Sequence, residues 1–224
     1  MSRLLATWMD SRISGSAHLL IALDDDDPRL PEYSELLMNY GEDHKANDSW
    51  LRWEVAPRMR LGGTLNHWAT DEAILRTYSI IGFLGDDHLP RSLGFDSKIQ
   101  SAMNSMGGSG VVYGNDLLQG ANLPTAVAIS SDIVKTLGYY VPPGMTHLYL
   151  DNYWKFLGEQ LGRLRYLPDV IIEHLHPAGG KAEWDERYVE VNSGEMYSED
   201  SRLFEEWKRD RASHDLTLVL EKLS

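Results

Sequence analysis

Apolar positions along the chain fall into short continuous runs separated by stretches with a helical period. Residues 3–10 read as the end of an amphipathic helix. The run AHLLIAL at 17–23 is strand-sized and stops at four aspartates and Pro28. Residues 31–40 predict a short helix and 50–55 a second strand. Gly62-Gly63 reads as a loop leading into a helix over about 64–78, with Leu65, Trp68, Ala69, Ala73 and Leu75 partly on one face. SIIGFL at 79–84 predicts a third strand running into Gly85-Asp86-Asp87-His88. Pro90 and Gly94 then mark a loop before a helix near 95–106.

The second half is less regular. It predicts a strand at 111–113, an apolar segment at 125–130, a helix at 132–137 and a Gly- and Pro-rich stretch at 138–144. Residues 152–164 carry the stripe Tyr153, Phe156, Leu157, Leu161 and Leu164 and read as a helix. Residues 166–176 read as a strand, and a charged helical tail from 198 onward is expected on the outside. The early alternation of strand and helix predicts an α/β fold, a mostly parallel sheet flanked by helices, with ligands at the carboxyl ends of strands. Both acidic clusters fall at such ends.

The composition narrows the chemistry. A chain of 224 residues with 42% hydrophobic content can bury a sizeable core. The formal net charge of −13 opposes whole-surface attraction to nucleic acid or anionic membrane. Without cysteine there is no thiolate site, so a metal would be held by carboxylate, imidazole, backbone or water. No apolar run approaches the ~20 residues that span a bilayer, and residues 1–9 do not read as a secretory signal, so membrane insertion is not expected and a cytoplasmic location is.

Several residues are candidates for chemistry. Asp86 and His88 are two apart, so on an extended backbone they point to one side and can share a Mn²⁺ or Mg²⁺ ion; a polar turn is the plainer alternative. His174 and His176 repeat that spacing at the end of an apolar strand, where either can also be a structural histidine. Asp151 precedes a helix, as a cap or as a general base. Asp24, Asp25, Asp26 and Asp27 form either a solvated loop or a place where one carboxylate accepts a base or ribose hydroxyl. Arg58, Arg60 and the glycine pair offer a weak phosphate signal. Trp154 and Trp207 sit in helical stripes and read as core.

Taken in order, LLIALDDDDP at 19–28, IIGFLGDDHLPR at 80–91, YGNDLLQGANLPTAVAIS at 113–130, HLYLDNYW at 147–154 and VIIEHLHPAGGKAEWD at 170–185 resemble GT-A fold nucleotide-sugar glycosyltransferases, in particular small bacteriophage and actinobacterial ones. The resemblance implies a Rossmann-like single domain with a nucleotide-binding half (1–110), an acceptor and catalytic half (111–197) and a helical tail (198–224). It implies that Asp24 to Asp27 contact the nucleotide and that Asp86-Asp87-His88 is an Asp-x-His metal motif. His174 or His176 would complete the metal shell, Asp151 would be the catalytic carboxylate of an inverting reaction, and the loop around Gly114 to Leu123 would line the sugar and acceptor pocket. The donor it implies is a nucleotide-diphosphate sugar, most commonly a UDP-hexose; for a phage-encoded member the location is the host cytoplasm. The acceptor is left open between modified DNA, a virion protein and a glycan. One departure is visible: the family's central first strand, with its Arg- or Gly-containing loop, is missing ahead of the first helix. Either the recorded start lies downstream of the true one or another segment fills that place.

A nucleotidyltransferase would share the fold class and the metal but would want a glycine-rich, basic first loop. A non-catalytic nucleotide- or sugar-binding protein is the alternative outside enzymes.

Overall fold

The computed structural model describes residues 1–13, 17–43, 50–184, 190 and 192–223. The chain opens in helix α1 (Ser2–Ser11) and enters β1 (Leu19–Asp24). After α2 (Leu30–Asp43) it returns to β2 (Leu51–Ala56), which pairs with β1 in parallel from Leu19 opposite Leu51 to Asp24 opposite Ala56. The direction follows from the crossover helix, since parallel neighbours need a long connection. Leu5, Leu37 and Trp50 seal this unit, each at most 2% exposed, with Phe95 closing against Trp8 edge to face.

Five further strands form a second sheet. In spatial order they are β3 (Ile80–Phe83), β6 (Val127–Ser130), β5 (Val111–Asn115), β7 (Leu164–His174) and β4 (His88–Pro90). The fold class is therefore α/β, as expected, but the sheet is mixed: β5 and β7 run parallel, whereas β3/β6, β5/β6 and β4/β7 are antiparallel. Alternation along the sequence fixes the order of elements, not their direction. Between β5 and β6 lies a loop with only a short 3₁₀ turn at Gly120–Asn122, and such a connection returns the chain antiparallel. Strand β4 occupies the start of the stretch read as loop. It is an edge strand, where Pro90 is tolerated because its missing N–H faces no partner.

Other boundaries moved for local reasons. The helix expected at 64–78 is two, α3 (Arg60–Ala69) and α4 (Glu72–Thr77), because the Asp71 carboxylate accepts the Ile74 N–H (3.0 Å) and starts a new helix. Gly62 and Gly63 lie inside α3 rather than in a loop before it. A Cβ on Gly62 would stand 2.0 Å from the Met145 carbonyl oxygen, so its role is close backbone packing. Helices α5 (Phe95–Ser105) and α6 (Ser131–Leu137) follow the sequence reading. Helix α7 (Leu150–Gln160) starts earlier and ends earlier than read, before Gly162 at φ 64°.

The tail is two helices, α8 (Gly194–Asp210) and α9 (Ala212–Leu223), and it is not merely external. Phe204, Trp207, Ala212 and Val219 are buried in the cluster that also holds Tyr153 and Trp154. Trp154 and Trp207 are core, as expected, and the Asp215 carboxylate accepts from both the Trp207 indole N–H (3.0 Å) and the Tyr139 hydroxyl. Among the described residues no helix is long and apolar enough to cross a membrane.

Candidate functional site

The strand pairing that sequence could not supply builds the site. Antiparallel β4 and β7 place His88 opposite His174, and their rings stack at 4.0 Å between centroids. Asp87, in the turn just before β4, reaches both: Oδ1 lies 3.0 Å from His88 Nδ1 and Oδ2 lies 3.1 Å from His174 Nε2. One donor atom from each of Asp87, His88 and His174 lies within 4.8 Å of the others, a grouping of ligand types that could hold a metal ion.

The electrostatics keep the Asp87 carboxyl ionised and the His88 ring neutral. Burial alone would raise the Asp87 pKa, but hydrogen bonds from His174 and His88 outweigh it and hold the carboxyl far below the usual range. Burial lowers the His88 pKa against the pull of Asp87, so its imidazole is neutral at pH 7. The Gly85 N–H also points at His88 Nδ1 (3.2 Å), which cannot both accept that bond and donate to Asp87. We assign the proton to Nδ1, because the contact to the carboxylate is shorter and charge-assisted. That leaves His88 Nε2 with a lone pair and no hydrogen-bond partner among the described residues, and His174 Nδ1 is likewise buried without a hydrogen bond. Buried orphan nitrogens of this kind call for a ligand.

Asp116, absent from the sequence candidates, supports the cluster from the β5–β6 loop. Its carboxylate accepts N–H groups of Leu118 (3.0 Å), Gln119 and Gly120 (both 2.8 Å) and the Thr125 hydroxyl (2.8 Å). Burial opposes its ionisation, but these bonds lower its pKa. Its carbonyl accepts the His174 N–H at 2.9 Å, and its carboxylate stands 4.0 Å from His174 Nδ1. The only sequence signal was the Asn115-Asp116 pair, a common opening for a self-bonded turn.

The other candidates are distributed as follows. Asp86 is exposed and lines the cavity but lies outside the three-residue cluster, because Asp86 and Asp87 form a turn and the extended-backbone argument for pairing Asp86 with His88 does not apply. His176 is also outside it. Its Nδ1 accepts the Ala178 N–H (3.0 Å) to cap a 3₁₀ turn, and its ring lies 5.0 Å from that of His174 and 6.0 Å from Trp184.

Asp151 sits in the first turn of α7, whose N-cap is Tyr149. Its carboxylate accepts the neighbouring Asn152 N–H (2.8 Å), and the helix has no side-chain cap, so Asp151 does not act as the N-cap. Burial raises its pKa, with the Asn152 N–H and the nearby His174 opposing.

At the end of β1, Arg58 Nε lies 3.3 Å from Asp24 and 3.1 Å from Asp26, and Asp27 accepts the Arg29 N–H (2.8 Å). Asp24 and Asp27 line the cavity; Asp25 and Asp26 are exposed and do not. Arg60 is paired with Glu190 (3.0 Å), so both candidate phosphate-binding arginines already hold acids. The last residue of the quoted stretches, Asp185, lies outside the described residues.

One cavity of about 1440 Å³ joins these elements: it is lined by Asp24, Asp27, Asp87, His88, Asp151 and His174 among others. Tyr149 and Arg60, two of the three non-glycine residues with positive φ among the described residues, stand on its wall at 62° and 59°, a strained conformation concentrated where it shapes a cleft. Compared with protein-family models and with curated proteins, the chain matches none.

Proposed function

We propose that the protein is a metal-dependent glycosyltransferase, moving a sugar from a nucleotide-diphosphate donor to an acceptor hydroxyl. The observation that carries the reading is the convergence, on one cavity, of an imidazole–carboxylate cluster with two ring nitrogens that lack a hydrogen bond and a separate carboxylate of raised pKa. Asp87, His88 and His174 would hold the metal. Two imidazoles with one carboxylate suit Mn²⁺ better than Mg²⁺, which prefers all-oxygen shells. When bound, such an ion neutralises the charge that develops on the leaving diphosphate.

The chain's own groups supply the rest. Asp116 fixes His174 through its carbonyl, and the β5–β6 loop it organises forms one wall of the site. Asp151, more basic than an exposed aspartate, accepts the proton of the attacking hydroxyl. Asp24 and Asp27, at the strand end across the cavity, offer carboxylates to the donor's ribose or base. A nucleotidyltransferase fits less well, because a triphosphate wants free basic groups and Arg58 and Arg60 are both bound to acids.

The test is release of nucleoside diphosphate from a panel of sugar donors with Mn²⁺, on the wild type and on Asp151→Asn. The reading expects metal-dependent release, donor binding kept in the variant, and a rate reduced by about 10²–10⁴. Turnover unchanged in Asp151→Asn would remove the base from the account.

A further inference from the structure

The loop that ends at Asp151 is gripped from two sides, and residues 147–151 all line the cavity. On one side the Gly62 N–H donates to the Thr146 carbonyl (2.9 Å), in the same close approach of α3 that leaves no room for a Cβ on Gly62 beside Met145. On the other side stands α8. Its residues Met196, Tyr197, Asp200, Leu203 and Phe204 are spaced to share one face of the helix. Asp200 accepts three consecutive N–H groups, those of Thr146, His147 and Leu148 (2.9, 2.8 and 2.7 Å). The Thr146 hydroxyl lies 3.3 Å from the Met196 sulfur, and a Cβ on Gly144 would stand 3.8 Å from Leu203. The rings of Tyr197 and Phe204 flank that of Tyr149 at 5.1 and 5.9 Å.

Two features set this grip apart from ordinary packing. Asp200 is a fully buried carboxylate with no cation paired to it among the described residues, so the N–H groups of one loop and the Thr146 hydroxyl compensate its burial. A buried charge satisfied in this way fixes the loop in one place, because a displaced loop would strand it. Tyr149 is at φ 62°, a conformation that a bulky residue keeps only where its surroundings impose it. As the N-cap of α7, Tyr149 sets the direction in which the first turn leaves the loop, and Asp151 is in that turn. No other side chain hydrogen-bonds the Asp151 carboxylate among the described residues, and the bond it accepts from the Asn152 N–H travels with the helix. The backbone therefore aims it.

We propose that Asp200 is a positioning residue for Asp151: through the N–H groups of residues 146–148 and the left-handed turn at Tyr149, α8 sets where the Asp151 carboxylate stands in the cavity. Tyr197 supports the same turn through its ring contact with Tyr149. The inference rests on the proposed transfer with Asp151 as base and adds the source of its alignment, a helix 54 residues beyond Thr146. The metal cluster stands on β4, β7 and the turn before β4, outside this grip. Loosening the grip lowers turnover and leaves donor affinity in place.

The experiment measures kcat and donor KM for Mn²⁺-dependent release of nucleoside diphosphate by the wild type, Asp200→Asn, Asp151→Asn and the double variant. Each is assayed at a temperature where tryptophan fluorescence shows it folded. Asp200→Asn should lower kcat by about 10–100-fold, the scale of a misplacement of about 1 Å, with donor KM within about twofold of the wild type. In the Asp151→Asn background the same substitution should cost less than about twofold, since a residue that acts through Asp151 has nothing left to align. Tyr197→Ala changes a side chain that is 57% exposed, and it decides the question where Asp200→Asn does not fold. It should show the same pattern, with kcat lowered about three- to tenfold.

Wild-type kcat in either folded variant overturns the assignment. So does an equal fold-loss with and without the Asp151 carboxylate, or a raised donor KM at unchanged kcat, because each is what general loosening of the cavity gives. A wild type without metal-dependent release, or Asp151→Asn at the wild-type rate, removes the base role and this assignment with it, which separates failure of the reaction from failure of the alignment.

Discussion

Asp200 ties the C-terminal helices to the loop that delivers Asp151, and replacing it with asparagine isolates that link. The side chain is 0% exposed. One carboxylate oxygen accepts the Thr146 N–H (2.9 Å), and the other accepts those of His147 (2.8 Å) and Leu148 (2.7 Å), with the Thr146 hydroxyl at 3.1 Å. In Asp200→Asn the amide oxygen can keep the His147 and Leu148 bonds. They lose their charge assistance, roughly 1 kcal/mol each. The new NH₂ faces the Thr146 N–H, donor against donor, and leaves that buried group unsatisfied at about 1–3 kcal/mol. The sum is about 3–5 kcal/mol, a large share of the 5–15 kcal/mol typical of a folded chain. With a urea slope near 3 kcal/mol/M, the midpoint should fall by about 1–1.7 M. Urea unfolding followed by tryptophan fluorescence measures it. A shift below about 0.3 M would refute the reasoning, because it would mean these N–H groups find water as easily as the carboxylate.

Two further outcomes are expected. The lowered His88 pKa means the unfolded chain binds the proton that the folded chain refuses. Stability is therefore held above about pH 6.5 and falls below it, by up to roughly 1.4 kcal/mol per pH unit, and thermal melts of His88→Gln should show a shallower acid slope than the wild type. Gly62→Ala, whose Cβ would meet the Met145 carbonyl at 2.0 Å, should destabilise by at least about 1–3 kcal/mol in urea melts; Gly63→Ala, which meets only the Met59 Cβ at 3.0 Å, should be tolerated better.

The parts of the fold written in local periodicity were legible in the sequence. Continuous apolar runs marked β1, β3 and β7, and the stripe from Tyr153 to Leu161 marked α7. Strand direction was not, because no residue of β6 records that its connection from β5 lacks a helix. The site divided in the same way. Histidines and aspartates at strand ends marked the region of the cluster, yet that Asp87 rather than Asp86, and His174 rather than His176, joins it depends on a turn and on a cross-strand register that form only in the folded sheet. Arg58 and Arg60 looked available for phosphate because their acidic partners, Asp26 and Glu190, are distant in sequence. Asp116 and Asp200 escaped notice because what they do is accept backbone N–H groups, and one aspartate among many carries no mark of that.

The most direct test of the central claim is calorimetric titration of the chain with uridine diphosphate, with and without Mn²⁺, repeated on Asp87→Ala and Asp86→Ala. A metal-bridged donor site built on Asp87, His88 and His174 predicts Mn²⁺-dependent binding that weakens by about 10–100-fold in Asp87→Ala and changes little in Asp86→Ala. Binding that ignores Mn²⁺, or that is lost in Asp86→Ala and kept in Asp87→Ala, would contradict it.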